Sequence, residues 1–107
     1  MSKFLALYRG PATPPGEMDP ADVEKVMAEW HTWMENTGSA LVDPGQPCGA
    51  RTALKDDGST AEPSDQNGYS LVEAADLAAA KGLFEKHPFL SEGKGRFAVE
   101  IFELLPM

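Results

Sequence analysis

The chain opens with a short run of aliphatic and aromatic residues, Lys3 to Tyr8, that stops at Arg9-Gly10-Pro11, the pattern of a first β-strand. Pro14, Pro15 and Gly16 break any element over residues 9 to 18, which reads as a loop. Asp19 followed by Pro20 supplies an N-cap and a first helical residue, and Asp22 lies near the positive end of the helix that follows. Val23, Val26, Met27, Trp30 and Met34 recur at steps of three and four, one apolar stripe of a helix that runs to about Thr37. Gly38 stands where a left-handed C-terminal residue is wanted.

Ala40-Leu41-Val42 is a short strand candidate stopped by Asp43-Pro44-Gly45. A polar stretch then reaches Asn67. Its plain reading is a mobile loop, with a tight turn at Asp57-Gly58 and a minor strand over Arg51 to Lys55. Strand character returns at Tyr69 to Glu73, and Leu77, Ala80, Leu83 and Phe84 mark a second helix over Ala75 to Lys86 that ends before His87-Pro88. Ser91 to Gly95 reads as a turn, and Arg96 to Leu104, rich in Phe, Val and Ile, as the closing strand.

Strand, helix, strand, long connection, strand, helix, strand is the order of a ferredoxin-like α+β fold, βαββαβ, with an antiparallel sheet and both helices on one face. Phe4, Ala6 and Tyr8 share one face of the first strand and Leu5 and Leu7 the other. Phe97, Val99 and Ile101 likewise oppose Ala98, Phe102 and Leu104 in the last. Neither face is polar, so the helix-free face needs a cover, and a second copy is the simplest one. The expected assembly is a homodimer through that face, in which ~500 Å² of buried apolar surface per subunit contributes on the order of 12 kcal/mol before association costs.

Composition narrows the functional classes. The 107 residues suffice for one domain with a modest core, and 42% hydrophobic against 24% charged residues is a globular balance. Nine Lys and Arg against 17 Asp and Glu leave a net charge of -8, which argues against nucleic acid or an anionic membrane as partner. The single Cys48 has no internal partner, and no apolar run approaches a signal peptide core or a membrane span, so a cytoplasmic protein is expected.

Several ordered blocks carry a family resemblance: Lys3-Phe4-Leu5-Ala6-Leu7-Tyr8-Arg9, Ala40-Leu41-Val42-Asp43-Pro44-Gly45, Gly68-Tyr69-Ser70, His87-Pro88-Phe89-Leu90 and the terminal run from Val99 to Met107. Together they resemble the YCII-related family over nearly the whole chain. The resemblance implies a dimeric α+β barrel, with some relatives acting on chlorinated hydroxyquinones and a His and Asp pair as their catalytic groups. The Asp-Gly-Pro-Phe tetrapeptide of one large branch is absent here.

Candidate chemistry rests on few residues. His31 and His87 are the side chains able to act as acid or base near neutral pH without a large shift. Asp43 closes the second strand, where chain reversal after the first helix would set its carboxylate beside His31 and fix the imidazole tautomer. The alternative is an exposed helix histidine with no role. His87 ends the second helix, where a charged imidazole would cap free carbonyls, or else forms a pocket wall. Trp30 and Trp33 share much of a helix face and suit a flat ring, with core packing the plainer reading of Trp30. Tyr69 and Ser70 point to opposite sides of their strand, so one of them offers its hydroxyl beneath the helices. Cys48 has only Arg51 nearby to activate it and reads as a bystander thiol. No metal-ligand spacing and no phosphate-binding glycine loop is present, so no cofactor or metal is expected. Two readings remain: a cofactor-independent acid–base enzyme of the lyase, isomerase or dehydrochlorinase type acting on a small cyclic or aromatic molecule, or a non-catalytic dimeric module that binds a ligand or partner.

Overall fold

Among the described residues of the computed structural model, six strands and two α-helices form a four-stranded antiparallel sheet, its helices and a separate two-stranded arm. The structure describes residues 1–11, 19–91 and 93–106, so most of the loop expected over 9 to 18 lies outside the described residues. The elements are β1 (Ser2–Arg9), α1 (Pro20–Thr37), β2 (Leu41–Asp43), β3 (Ala53–Leu54), β4 (Thr60–Ala61), β5 (Gln66–Ala74), α2 (Leu77–Phe84) and β6 (Ala98–Leu104). Sheet order is β2-β5-β1-β6, so the two strands that follow the helices in sequence lie on the outside. This is the ferredoxin-like arrangement that the order of elements implies.

Register decides which side chains meet the helices. Phe4, Ala6 and Tyr8 of β1 stand opposite Val72, Ser70 and Gly68 of β5, while Ala6 and Tyr8 stand opposite Ile101 and Val99 of β6. Phe4, Ala6, Tyr8, Val72 and Ala74 are buried together with Trp33 of α1 and Ala80 and Phe84 of α2, so both helices pack on this one face. The opposite face carries Leu5, Leu7, Tyr69, Leu71, Phe102 and Leu104 in adjacent register, with no described helix over them.

Local chemistry explains the boundaries. The Asp19 side chain accepts from the Ala21 amide at 3.0 Å, Pro20 fills the first helical position, and Gly38 ends α1 at φ 59°, a conformation that glycine adopts without Cβ strain. α2 is shorter than its periodicity implies. Asp76 is the N-cap, accepting from the Ala79 amide at 2.8 Å, and at the other end the chain turns at Glu85 so that His87 enters the core. A single 3₁₀ turn over Pro88–Leu90 follows.

The long connection is a hairpin rather than a structureless loop. β3 and β4 pair, the Lys55 amide donates to Ser59 at 2.7 Å, Gly58 takes φ 88°, and Asp57 accepts from both the amide and the hydroxyl of Ser59. Arg51 ties its base by donating to the carbonyls of Gly49 and Ser64. Leu54, at 78% exposure, leaves this arm with an uncovered apolar side chain. No described helix is long and apolar enough to cross a membrane.

Candidate functional site

A buried hydrogen-bonded relay runs across the helix side of the sheet. Ser70 Oγ donates to the Pro44 carbonyl at 2.8 Å, Tyr8 Oη lies 2.7 Å from Ser70 Oγ and 3.3 Å from His87 Nε2, and the Phe89 amide donates to His87 Nδ1 at 3.0 Å. Alternation in β1 and β5 places Tyr8 and Ser70 on the helix face, two positions out of register with each other, where their hydroxyls converge. Pro88, after His87, starts the 3₁₀ turn that returns the Phe89 amide onto the imidazole.

Aromatic rings enclose the relay. The His87 ring centroid is 4.3 Å from that of Trp30 and 4.4 Å from that of Trp33, both edge to face, and Tyr8 packs within 5.0 Å of His87 and 5.2 Å of Phe89. The Trp33 indole donates to the Leu83 carbonyl at 2.8 Å, joining α1 to α2. Removal from water lowers the His87 pKa to about 4, and burial raises that of Tyr8 to about 12 against a smaller opposing effect of the Ser70 hydrogen bond. Both groups are therefore neutral at pH 7.

Two depressions flank this aromatic partition. The smaller, about 360 Å³, is walled by Met27, Trp30 and Met34 of α1, by Tyr8 and Phe89, and by the segment Pro44–Pro47 with Asn67, Gly68 and Tyr69, the Asn67 amide being engaged with the Gly10 carbonyl. Most of that wall is apolar side chain, the composition that suits a small ring. The larger, about 820 Å³ and open to solvent, is a groove between α1 and α2 that reaches His87 and Trp33. Gly45 holds the wall segment close to β5. Its φ is 79°, its amide donates to Asp43 Oδ1 at 2.8 Å, and a Cβ there would run into the Tyr69 carbonyl oxygen.

The structure gathers some of the residues singled out in the sequence and leaves others apart. Trp30, Trp33, Ser70 and His87 converge on the relay, and Tyr69 stands at the cavity wall. His31 is exposed on α1, and among the described residues no hydrogen bond or ion pair joins it to Asp43, whose carboxylate instead closes the turn at Gly45. His87 is not a charged cap on the second helix. Its Nδ1 accepts the Phe89 amide at the start of the next turn, and burial keeps the ring neutral. Cys48 is exposed. Tyr8 is the member that sequence reasoning left inside an apolar strand. The signal available was a polar-tipped aromatic on the same strand face as Phe4 and Ala6, whose hydroxyl needs a buried partner.

Fold and site together define a ferredoxin-like α+β domain with an apolar cavity backed by a buried tyrosine–serine–histidine relay. A solved structure is similar along nearly its whole length: the 5-chloro-2-hydroxyhydroquinone dehydrochlorinase of Burkholderia phenoliruptrix AC1100 in complex with 2,5-dihydroxybenzoquinone, with a TM-score of 0.57 and 19% identity over 96% of this chain and 93% of that one. At that identity the likeness bears on the fold. No protein-family model and no curated relative matches the chain.

Proposed function

We propose that this protein is a YCII-related homodimer that binds a small aromatic or cyclic molecule in the cavity between α1 and the end of the sheet. The observation that carries this reading is the cavity of about 360 Å³, walled by Met27, Trp30, Met34 and Phe89, with one polar-tipped residue of the relay, Tyr8, in its wall. Its size suits a single substituted ring, and the rings already present offer edge and face contacts to a bound one. The helix-free sheet face, apolar through Leu5, Leu7, Leu71 and Phe102, is the dimer surface. Titration with 2,5-dihydroxybenzoquinone, followed through Trp30 and Trp33 fluorescence, tests the cavity. Saturable quenching that weakens about tenfold or more in Trp30→Ala supports it, since losing a stacking side chain costs ~1–3 kcal/mol. Quenching unaffected by that change places the ligand elsewhere.

A second reading, that the bound ring also reacts, draws on the similarity to a dehydrochlorinase. Loss of HCl needs a base to take the proton while chloride departs, and His31 and His87 are the candidate proton carriers in this chain. Chloride release from 5-chloro-2-hydroxyhydroquinone, abolished in one of His31→Gln or His87→Gln with folding intact, separates an enzyme from a binding module, which releases none.

A further inference from the structure

The relay has a fixed direction, and both of its ends require the same one. The Pro44 carbonyl only accepts, so the Ser70 hydroxyl proton is committed to it at 2.8 Å. Ser70 Oγ is then the acceptor at 2.7 Å and Tyr8 the donor. Independently, the Phe89 amide only donates, so His87 Nδ1 carries no proton and, in a neutral ring, Nε2 does. Nε2–H therefore donates to Tyr8 Oη at 3.3 Å. The Tyr8 hydroxyl proton is spent on Ser70, and what its oxygen has left is acceptor capacity.

Tyr8 and Pro44 are the members of this relay that line the cavity, and the Pro44 carbonyl is already engaged. Resting on the reading of that cavity as a ring-binding site, we propose that it selects ligands by hydrogen-bond polarity: a neutral hydroxylated ring that donates O–H to Tyr8 Oη is preferred over a ring of the same size bearing only acceptors, such as an aryl ether or ketone. An acceptor-only ligand gains a bond from Tyr8 only by taking the proton away from Ser70, so one contact is exchanged for another. A donor ligand adds a contact without breaking any. The difference of one net hydrogen bond corresponds to a preference of about tenfold.

Phenol, methoxybenzene and acetophenone serve as probes, each titrated by tryptophan fluorescence into the wild type and Tyr8→Phe. The expected result is that Tyr8→Phe weakens phenol about tenfold relative to methoxybenzene and leaves acetophenone level with methoxybenzene. An unchanged phenol-to-ether ratio overturns the polarity rule while the cavity reading stands, as does a selective loss of acetophenone binding, which would assign Tyr8 the donor role. Failure of all three probes to bind the wild type overturns both. Should Tyr8→Phe not fold, the wild-type affinities decide: phenol binding about tenfold more tightly than methoxybenzene is expected, and equal affinities for the two remove the proposal.

Discussion

At the scale of single residues, His87 has the most surroundings to lose. Its imidazole is 2% exposed, lies between two indoles and holds hydrogen bonds through both ring nitrogens. His87→Ala removes the ring, opens a cavity and strands the Phe89 amide and part of the Tyr8 hydrogen bonding, so a loss of about 2–4 kcal/mol is expected by chemical denaturation. The pH dependence has a definite sign. His87 binds its proton near pH 4 in the folded state but near 6.5 when unfolded, so the unfolded chain takes up the proton first as pH falls. Stability therefore declines from pH 6.5 towards 4, by ~1–3 kcal/mol, and this slope vanishes in a folded His87→Gln variant. Tyr8 acts at the other end of the scale, where its pKa raised from 10.0 to about 12 means that the unfolded phenol ionises first and stability falls as pH rises above 10. Little of this was legible in the sequence. The partners of Tyr8 are 62 and 79 positions away, and nothing local to an apolar strand reveals a hydroxyl's distant acceptor.

At the scale of elements the sequence was far more informative, because the signals are local. Asp19, Pro20 and Gly38 bound α1 at the residues that its caps imply, and period-two alternation in β1 sorts the core face from the open face. The long connection misled for a physical reason: a ladder of two-residue strands joined by a polar turn has too few apolar positions to show a period. The apolar stripe of α1 is also only partly a core stripe. Trp33, outside that stripe, is the buried residue of α1, while Met27 within it remains 55% exposed and lines the cavity. Two substitutions test the element boundaries. Asp76→Ala removes the acceptor of the Ala79 amide and should cost about 1 kcal/mol. Gly45→Ala should cost more, ~2 kcal/mol or above, since it combines a positive φ with a Cβ directed at the backbone of Tyr69. It should also distort the cavity wall, so ring binding falls along with stability. A Gly45→Ala protein with wild-type melting and wild-type titrations would show that the Pro44–Pro47 segment is not held as described.

At the scale of the molecule the open question is what lies over the helix-free face of the sheet. Leu5 and Leu7 of β1 and Leu71 of β5 stay half-buried there, while Phe102 and Leu104 on edge strand β6 are 49% and 40% exposed. Arg9, Asp65 and Glu100 form ion pairs at one end of the sheet, so the polar contacts gather at a rim and leave the middle apolar. An apolar centre with a charged margin is the anatomy of a protein interface, and self-association of one identical patch satisfies it with twofold symmetry. Phe102 is the residue to change. It pairs with Leu5 across the β1–β6 ladder, half of its surface reaches solvent in the single chain, and no described helix packs on it, so Phe102→Lys should leave the protomer folded. In a dimer the same change buries two unpaired ammonium groups, one from each copy, and the dissociation constant should rise at least a hundredfold, equivalent to ~3 kcal/mol or more. Sedimentation of both proteins at micromolar concentration reads the result directly. A wild-type dimer that becomes a folded monomer in Phe102→Lys identifies the open face as the interface. A dimer that withstands the change uses another surface, the exposed hairpin at Leu54 being the next to test, and a monomeric wild type removes the dimer from the proposed function while the cavity between α1 and the sheet, formed wholly within one chain, is unaffected.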